Sequence, residues 1–69
     1  MMKLTIIFKD EFEEHMKKQF ESFTNPQVYY IKSIRIKGRY LYATISSTMC
    51  WSMDDIAEFT VSERRADNG

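Results

Sequence analysis

Leu4, Ile6 and Phe8 alternate with Lys3, Thr5, Ile7 and Lys9, the period-two pattern of a strand with one buried face. The period then changes. Phe12, Met16, Phe20 and Phe23 recur at spacings of four, four and three, so a helix would carry them in one apolar stripe, with the Glu13/Lys17 and Glu14/Lys18 pairs on its wet side. Asp10 stands where an N-cap belongs, Glu13 where a capping box places its glutamate, and Glu11 and Glu14 suit the positive end of the helix dipole. The helix is expected to stop near Phe23, because Thr24-Asn25-Pro26 is turn chemistry and a residue before proline is driven out of the α region.

The next segment, Val28 to Ser46, reads as a β-hairpin about Lys37-Gly38. With that loop Ile36 faces Arg39, Ile34 faces Leu41, Lys32 faces Ala43 and Tyr30 faces Ile45. Val28, Tyr30, Ile34, Ile36, Leu41, Ala43 and Ile45 then share the core face, and Lys32 interrupts it. The other face carries Tyr29, Ile31, Ser33, Arg35, Tyr40, Tyr42, Thr44 and Ser46. Assignment of every side chain to a face depends on this register.

Beyond Ser46-Ser47-Thr48, Met49, Trp51 and Met53 alternate with polar residues, and then Ala57, Phe59 and Val61 do the same. This predicts two short strands joined through Asp54-Asp55; the alternative is a short helix capped by Ser52 and running through Phe59. The expected fold is therefore α+β, a small antiparallel sheet of about four strands in the order β-α-β-β-β with the amphipathic helix packed on one face. Residues 1–62 form one domain, and the polar run 63–69 is expected to fray.

Composition narrows the function classes. The chain has 69 residues, one cysteine, and ten basic residues against ten acidic. A domain this small must bury nearly every large apolar side chain to fold, so spare ones carry meaning. Zero net charge gives no global attraction to nucleic acid or to an anionic membrane. Cys50 alone cannot build a disulfide framework and fits a reducing compartment. The apolar run in MMKLTIIFKD is about five residues, too short for a signal-peptide core or a membrane span. A cytoplasmic protein without membrane association is the expectation.

Catalytic chemistry finds little support. His15 and Cys50 could form a thiol–imidazole pair only if the fold brought them together; a boundary helix residue and a small buried or half-buried hydrophobe are the simpler readings. Glu11 and His15, one turn apart, supply two ligands where a metal site needs more. Asp54 and Asp55 are adjacent rather than opposed across a cleft, and neither glycine lies in a phosphate-binding loop. No enzyme, metal or cofactor is expected.

What is left is the tyrosine-rich face. Tyr29, Ile31, Arg35, Tyr40 and Tyr42 have the composition enriched at the energetic centres of protein interfaces, unless the C-terminal segment with Trp51 and Phe59, or a second copy in a homodimer, covers them. The leading reading is a small non-enzymatic interaction protein, an inhibitor or adaptor of the sort common among phage and mobile-element accessory proteins. The alternative is a single-stranded nucleic-acid binder, with bases stacked on the tyrosines between Lys32, Arg35, Lys37 and Arg39.

Overall fold

The computed structural model describes residues 1–63. The chain is α+β: β1 (Met2–Phe8), α1 (Asp10–Gln19), β2 (Gln27–Ile31), β3 (Ser33–Lys37), β4 (Tyr40–Thr44), β5 (Thr48–Ser52), a single 3₁₀ turn (Met53–Asp55) and β6 (Ile56–Glu63). The strands form two antiparallel three-stranded sheets, β2-β1-β6 and β3-β4-β5, each built round its middle strand. The expected α+β class, antiparallel pairing and lone helix are present; the strand count is six rather than four. Glu63, expected in the frayed tail, lies in β6, and the rest of that tail lies outside the described residues.

One core joins the two sheets. Leu4, Ile6 and Phe8 of β1, Ile31 of β2 and Ile56 of β6 cluster with Leu41 and Ala43 of β4. The strict alternation of β1 therefore does what period two predicts. The partner of its buried face is largely the second sheet. The helix joins at one end, where Phe12 lies 5.1 Å from Phe8 and Phe23 lies 5.6 Å and 6.0 Å from Phe8 and Phe12, ring centre to ring centre.

The stripe is shorter than its spacing implied. The helix ends at Gln19, Phe20 is already extended at φ −134° and ψ 108°, and its side chain is 52% exposed. Lys9 rather than Asp10 holds the N-cap position and makes no side-chain cap bond. Glu13 is not used as a capping box because it is engaged elsewhere: Lys17 contacts it at 2.7 Å and Asn25 Nδ2 donates to it at 3.0 Å. Those two donors, Lys17 first, hold the Glu13 carboxyl below its ordinary pKa.

Asn25 explains how the first sheet is closed beside the helix. The β1–β2 register, Met2↔Ile31 through Ile6↔Gln27, extrapolates to Asn25 opposite Phe8, with Pro26, which has no N–H, in between. The Asn25 side-chain amide stands in for backbone there. Its Oδ1 accepts from the Phe8 N–H at 2.9 Å and its Nδ2 donates to the Phe8 carbonyl at 3.1 Å.

The long strand expected from Val28 to Ile36 is split at Lys32 between the two sheets. Lys32 N–H donates to the Thr44 carbonyl at 2.8 Å, while Ser33 is the residue paired with Thr44. Two residues opposing one is a β-bulge, and one extra residue inverts which side chains face inward. Before it, Ile31 is buried and Tyr29 half-buried while Val28 and Tyr30 are exposed; after it, Ile34 and Ile36 lie on the inner side. The inversion has a physical reason: continuous alternation would aim the Lys32 ammonium into the core, at a cost of several kcal/mol on the order expected for an unpaired buried charge.

The hairpin loop is Gly38-Arg39, one residue later than expected, with Lys37↔Tyr40, Ile36↔Leu41, Arg35↔Tyr42 and Ile34↔Ala43 paired. Gly38 takes φ 63°, and a two-residue loop with glycine first meets the type II′ requirement, whereas Lys37-Gly38 would have asked lysine for a positive φ. Moving the loop by one shifts each partner by two, so the faces of β3 and β4 stay as expected. A second bulge at Ala57, between Ile7↔Glu58 and Phe8↔Ile56, turns Ile56 inward in place of Ala57.

Candidate functional site

The outer face of β3-β4-β5 is a small grid fixed by register. Its cross-strand rows are Ser33–Thr44–Thr48, Arg35–Tyr42–Cys50 and Lys37–Tyr40–Ser52. It faces outward because Leu41 and Ala43, the alternate residues of β4, are buried on the other side. The Tyr40 and Tyr42 ring centres are 6.5 Å apart, Tyr40 is 48% exposed, and the Arg35 guanidinium carbon sits 5.5 Å from the centre of the Tyr42 ring. That is cation–π range, and it holds the arginine against the sheet at small cost in freedom.

Electrostatically the patch is one-sided. None of its nine residues is acidic, and among the described residues neither Arg35 nor Lys37 enters a salt bridge. Among the described residues the carboxylates lie elsewhere, on α1, at Glu21 just beyond it, at Asp54 and Asp55, and along β6. A groove of about 240 Å³ runs between Arg35 and Tyr42 toward Ser33, Thr44 and Thr48. Thr44 and Thr48 face one another at 3.3 Å between hydroxyl oxygens. The patch thus offers two ring faces, two unpaired cations and a row of hydroxyls.

Of the five residues singled out from the sequence, the fold brings three together here: Arg35, Tyr40 and Tyr42. The other two are placed otherwise, and the Lys32 bulge is the reason. Ile31 has no solvent exposure and belongs to the core. Tyr29 is half-buried between the sheets, its ring 5.4 Å from that of Trp51, its hydroxyl donating to Gln27 Oε1 at 2.5 Å and its pKa raised by burial. Covering of tyrosine by the segment containing Trp51 is thus realised at Tyr29 but not at Tyr40.

Four members of the grid, Lys37, Thr48, Cys50 and Ser52, lie outside the face expected from the sequence. A Lys37-Gly38 loop leaves Lys37 off the strand, and its parity with Arg35 becomes legible once glycine's preference for the first loop position is applied. Cys50, read as buried or half-buried, is exposed in the middle of β5, and only the β4–β5 register shows it beside Tyr42.

The remaining candidates for chemistry stay dispersed. His15 Nε2 contacts Gln19 Nε2 at 2.9 Å on the exposed side of α1, and no hydrogen bond joins it to Cys50. A second depression, of about 290 Å³, lies between the start of α1 and the 3₁₀ turn and is lined by Lys9, Glu11, Phe12, His15, Asp54 and Asp55. Two of its side chains are engaged within the fold, His15 with Gln19 and Asp54 with Arg39 at 2.5 Å, and the Lys9 N–H donates to the Asp55 carbonyl at 3.0 Å behind them. Among the described residues no three His, Cys, Asp or Glu side chains are placed to hold a metal ion, and no helix is long and apolar enough to cross a membrane.

Comparison with protein-family models, with curated proteins and with solved structures finds no match. The functional reading therefore rests on the geometry of this face.

Proposed function

We propose that the protein is a small non-catalytic module, an adaptor or inhibitor, that binds a protein partner through the outer face of β3-β4-β5. Tyr40 and Tyr42 supply rigid contact area, and Arg35 with Lys37 supplies charge. The observation that carries this reading is the pair of neighbouring phenol rings beside a guanidinium that forms no salt bridge among the described residues, on the side of β4 opposite the buried Leu41 and Ala43. Aromatic rings and arginine are the side chains that contribute most at interface centres, because they bury much area for little lost freedom. The compartment proposed is the cytoplasm, where the exposed Cys50 thiol would stay reduced.

The test is the double substitution Tyr40→Ser/Tyr42→Ser, used as bait against native lysate beside the unaltered protein. Specific partners should be lost while the far-UV circular dichroism and the unfolding transition are kept. A double variant that unfolds, or that retains every partner, removes the reading.

A second reading, a single-stranded nucleic-acid binder, is favoured by the absence of carboxylates from this same face. Successive bases would stack on the two rings while Arg35 and Lys37 neutralise phosphate. Fluorescence anisotropy of a labelled oligothymidine at low salt separates the two. Binding that falls steeply with salt and disappears in the double variant supports the nucleic acid, and an unchanged signal excludes it.

A further inference from the structure

We infer that the free edge of β3 receives an extended segment of the partner as a fourth strand, and that this segment alternates acidic with apolar side chains. The inference rests on the protein-binding reading and names the partner's chemistry. β3 pairs only with β4 among the described residues, so its other edge is open. A two-residue hairpin is closed by a hydrogen-bonded pair, here Lys37↔Tyr40, and alternation makes Arg35↔Tyr42 and Ser33↔Thr44 the other such pairs. The amides and carbonyls of Ile34 and Ile36 therefore point outward along the open edge, which is the template that β-augmentation uses.

Side chains select the segment. On the outer face β3 presents Arg35 and Lys37, neither with an ion-pair partner among the described residues, and on the inner face Ile34 and a 53% exposed Ile36. In an antiparallel addition the incoming residues opposite Arg35 and Lys37 occupy non-hydrogen-bonded positions, where side chains approach most closely. Carboxylates fit there, and apolar side chains fit opposite Ile34 and Ile36. The same two cations disfavour a second copy, since antiparallel β3–β3 pairing in the register of full overlap would set Arg35 against Arg35.

The probe is a fluorescein-labelled, end-capped nonapeptide of alternating glutamate and valine, titrated into the full-length protein and followed by anisotropy. Binding should weaken at least tenfold when the valine nitrogens are methylated, because those amides face β3. It should weaken similarly in Ile36→Pro, which removes one outward N–H at an edge position that tolerates proline and leaves the grid intact. Arg35→Glu/Lys37→Glu should reverse the preference to a lysine–valine peptide. No binding, equal binding of both peptides, or indifference to methylation overturns the inference, and the methylated peptide decides even if Ile36→Pro fails to fold. A concentration-dependent dimer in sedimentation that Ile36→Pro abolishes also overturns it, since a second copy would then own the edge. Any of these results alongside continued Tyr40- and Tyr42-dependent partner capture leaves the face reading standing, whereas capture that ignores both tyrosines defeats the face reading itself.

Discussion

The two sheets have the same number of strands and the same plan, yet they divide labour. The β2-β1-β6 sheet contributes five of the seven core side chains, Leu4, Ile6, Phe8, Ile31 and Ile56, and the β3-β4-β5 sheet contributes Leu41 and Ala43. Conversely, the paired rings and unpaired cations lie on the outer side of the second sheet. A chain this short has few large side chains to spare. Concentrating burial in one sheet leaves the other free to hold tyrosines outside without forfeiting the fold.

The largest effect that tests this division belongs to β1. Leu4 and Ile6 have no exposure at all, so Leu4→Ala or Ile6→Ala should cost about 2–5 kcal/mol, a large part of the stability of a small domain. Urea unfolding should show these variants largely unfolded in buffer, while Tyr42→Ser keeps a midpoint close to that of the unaltered protein. Comparable losses at Leu4 and Tyr42 would break the comparison, because the second sheet's outer face would then be structural.

Next in size is the closure at Asn25. Asn25→Ala withdraws one acceptor and one donor from the backbone of Phe8 and a donor from Glu13, and the site is partly buried, so about 1–3 kcal/mol should be lost. Asn25→Asp keeps the acceptor for the Phe8 N–H but sets a carboxylate against the Phe8 carbonyl and Glu13, and it should be no better than alanine at neutral pH. Retention of full stability in both variants would mean that the first sheet does not need this amide to close beside the helix.

The contrast between the sheets also marks what the sequence could disclose. β1 was legible because its alternation is unbroken and one face is wholly apolar. The helix start and the strand–turn–strand run from Thr48 to Val61 were legible for similar reasons, with Ser52 Oγ accepting from the Asp54 N–H in the turn. The passage from one sheet to the next was not, because a bulge adds a residue without leaving a compositional trace. Its one local sign was the misfit of Lys32, with Ile31 and Ile34 out of phase on either side of Lys32-Ser33. Reading straight through it placed Tyr29 and Ile31 outside, when they pack inward. Arg35, Tyr40 and Tyr42, all beyond the bulge, were assigned to the right face even though the loop was misplaced by one residue.

Tyr29 gives a pH test of the seam between the sheets. Burial raises its pKa above the ordinary value of 10.0, so the folded protein favours the neutral phenol. That contribution is fully present below the unfolded value and is lost as pH rises through the higher folded one. Unfolding midpoints measured from pH 8 upward should therefore decline on the alkaline side. Tyr29→Phe should show a shallower decline, at the expense of the bond to Gln27 near neutrality. Identical alkaline limbs would mean that the ring is not held against Trp51 in solution.

The smallest effect is expected where the second sheet's hairpin meets the 3₁₀ turn. Arg39 and Asp54 are 2.5 Å apart, but their side chains are 75% and 59% exposed, so water and salt screen the pair and it contributes little to stability. The link that matters here is backbone: the Met53 N–H donates to the Arg39 carbonyl at 2.7 Å, and Arg39→Ala leaves it in place. Arg39→Ala should thus lower the thermal midpoint by no more than a few degrees, with the difference vanishing in high salt. A larger drop that persists in high salt would show that side chains as well as backbone fasten this corner, and that the second sheet depends on its surface more than its share of the core implies.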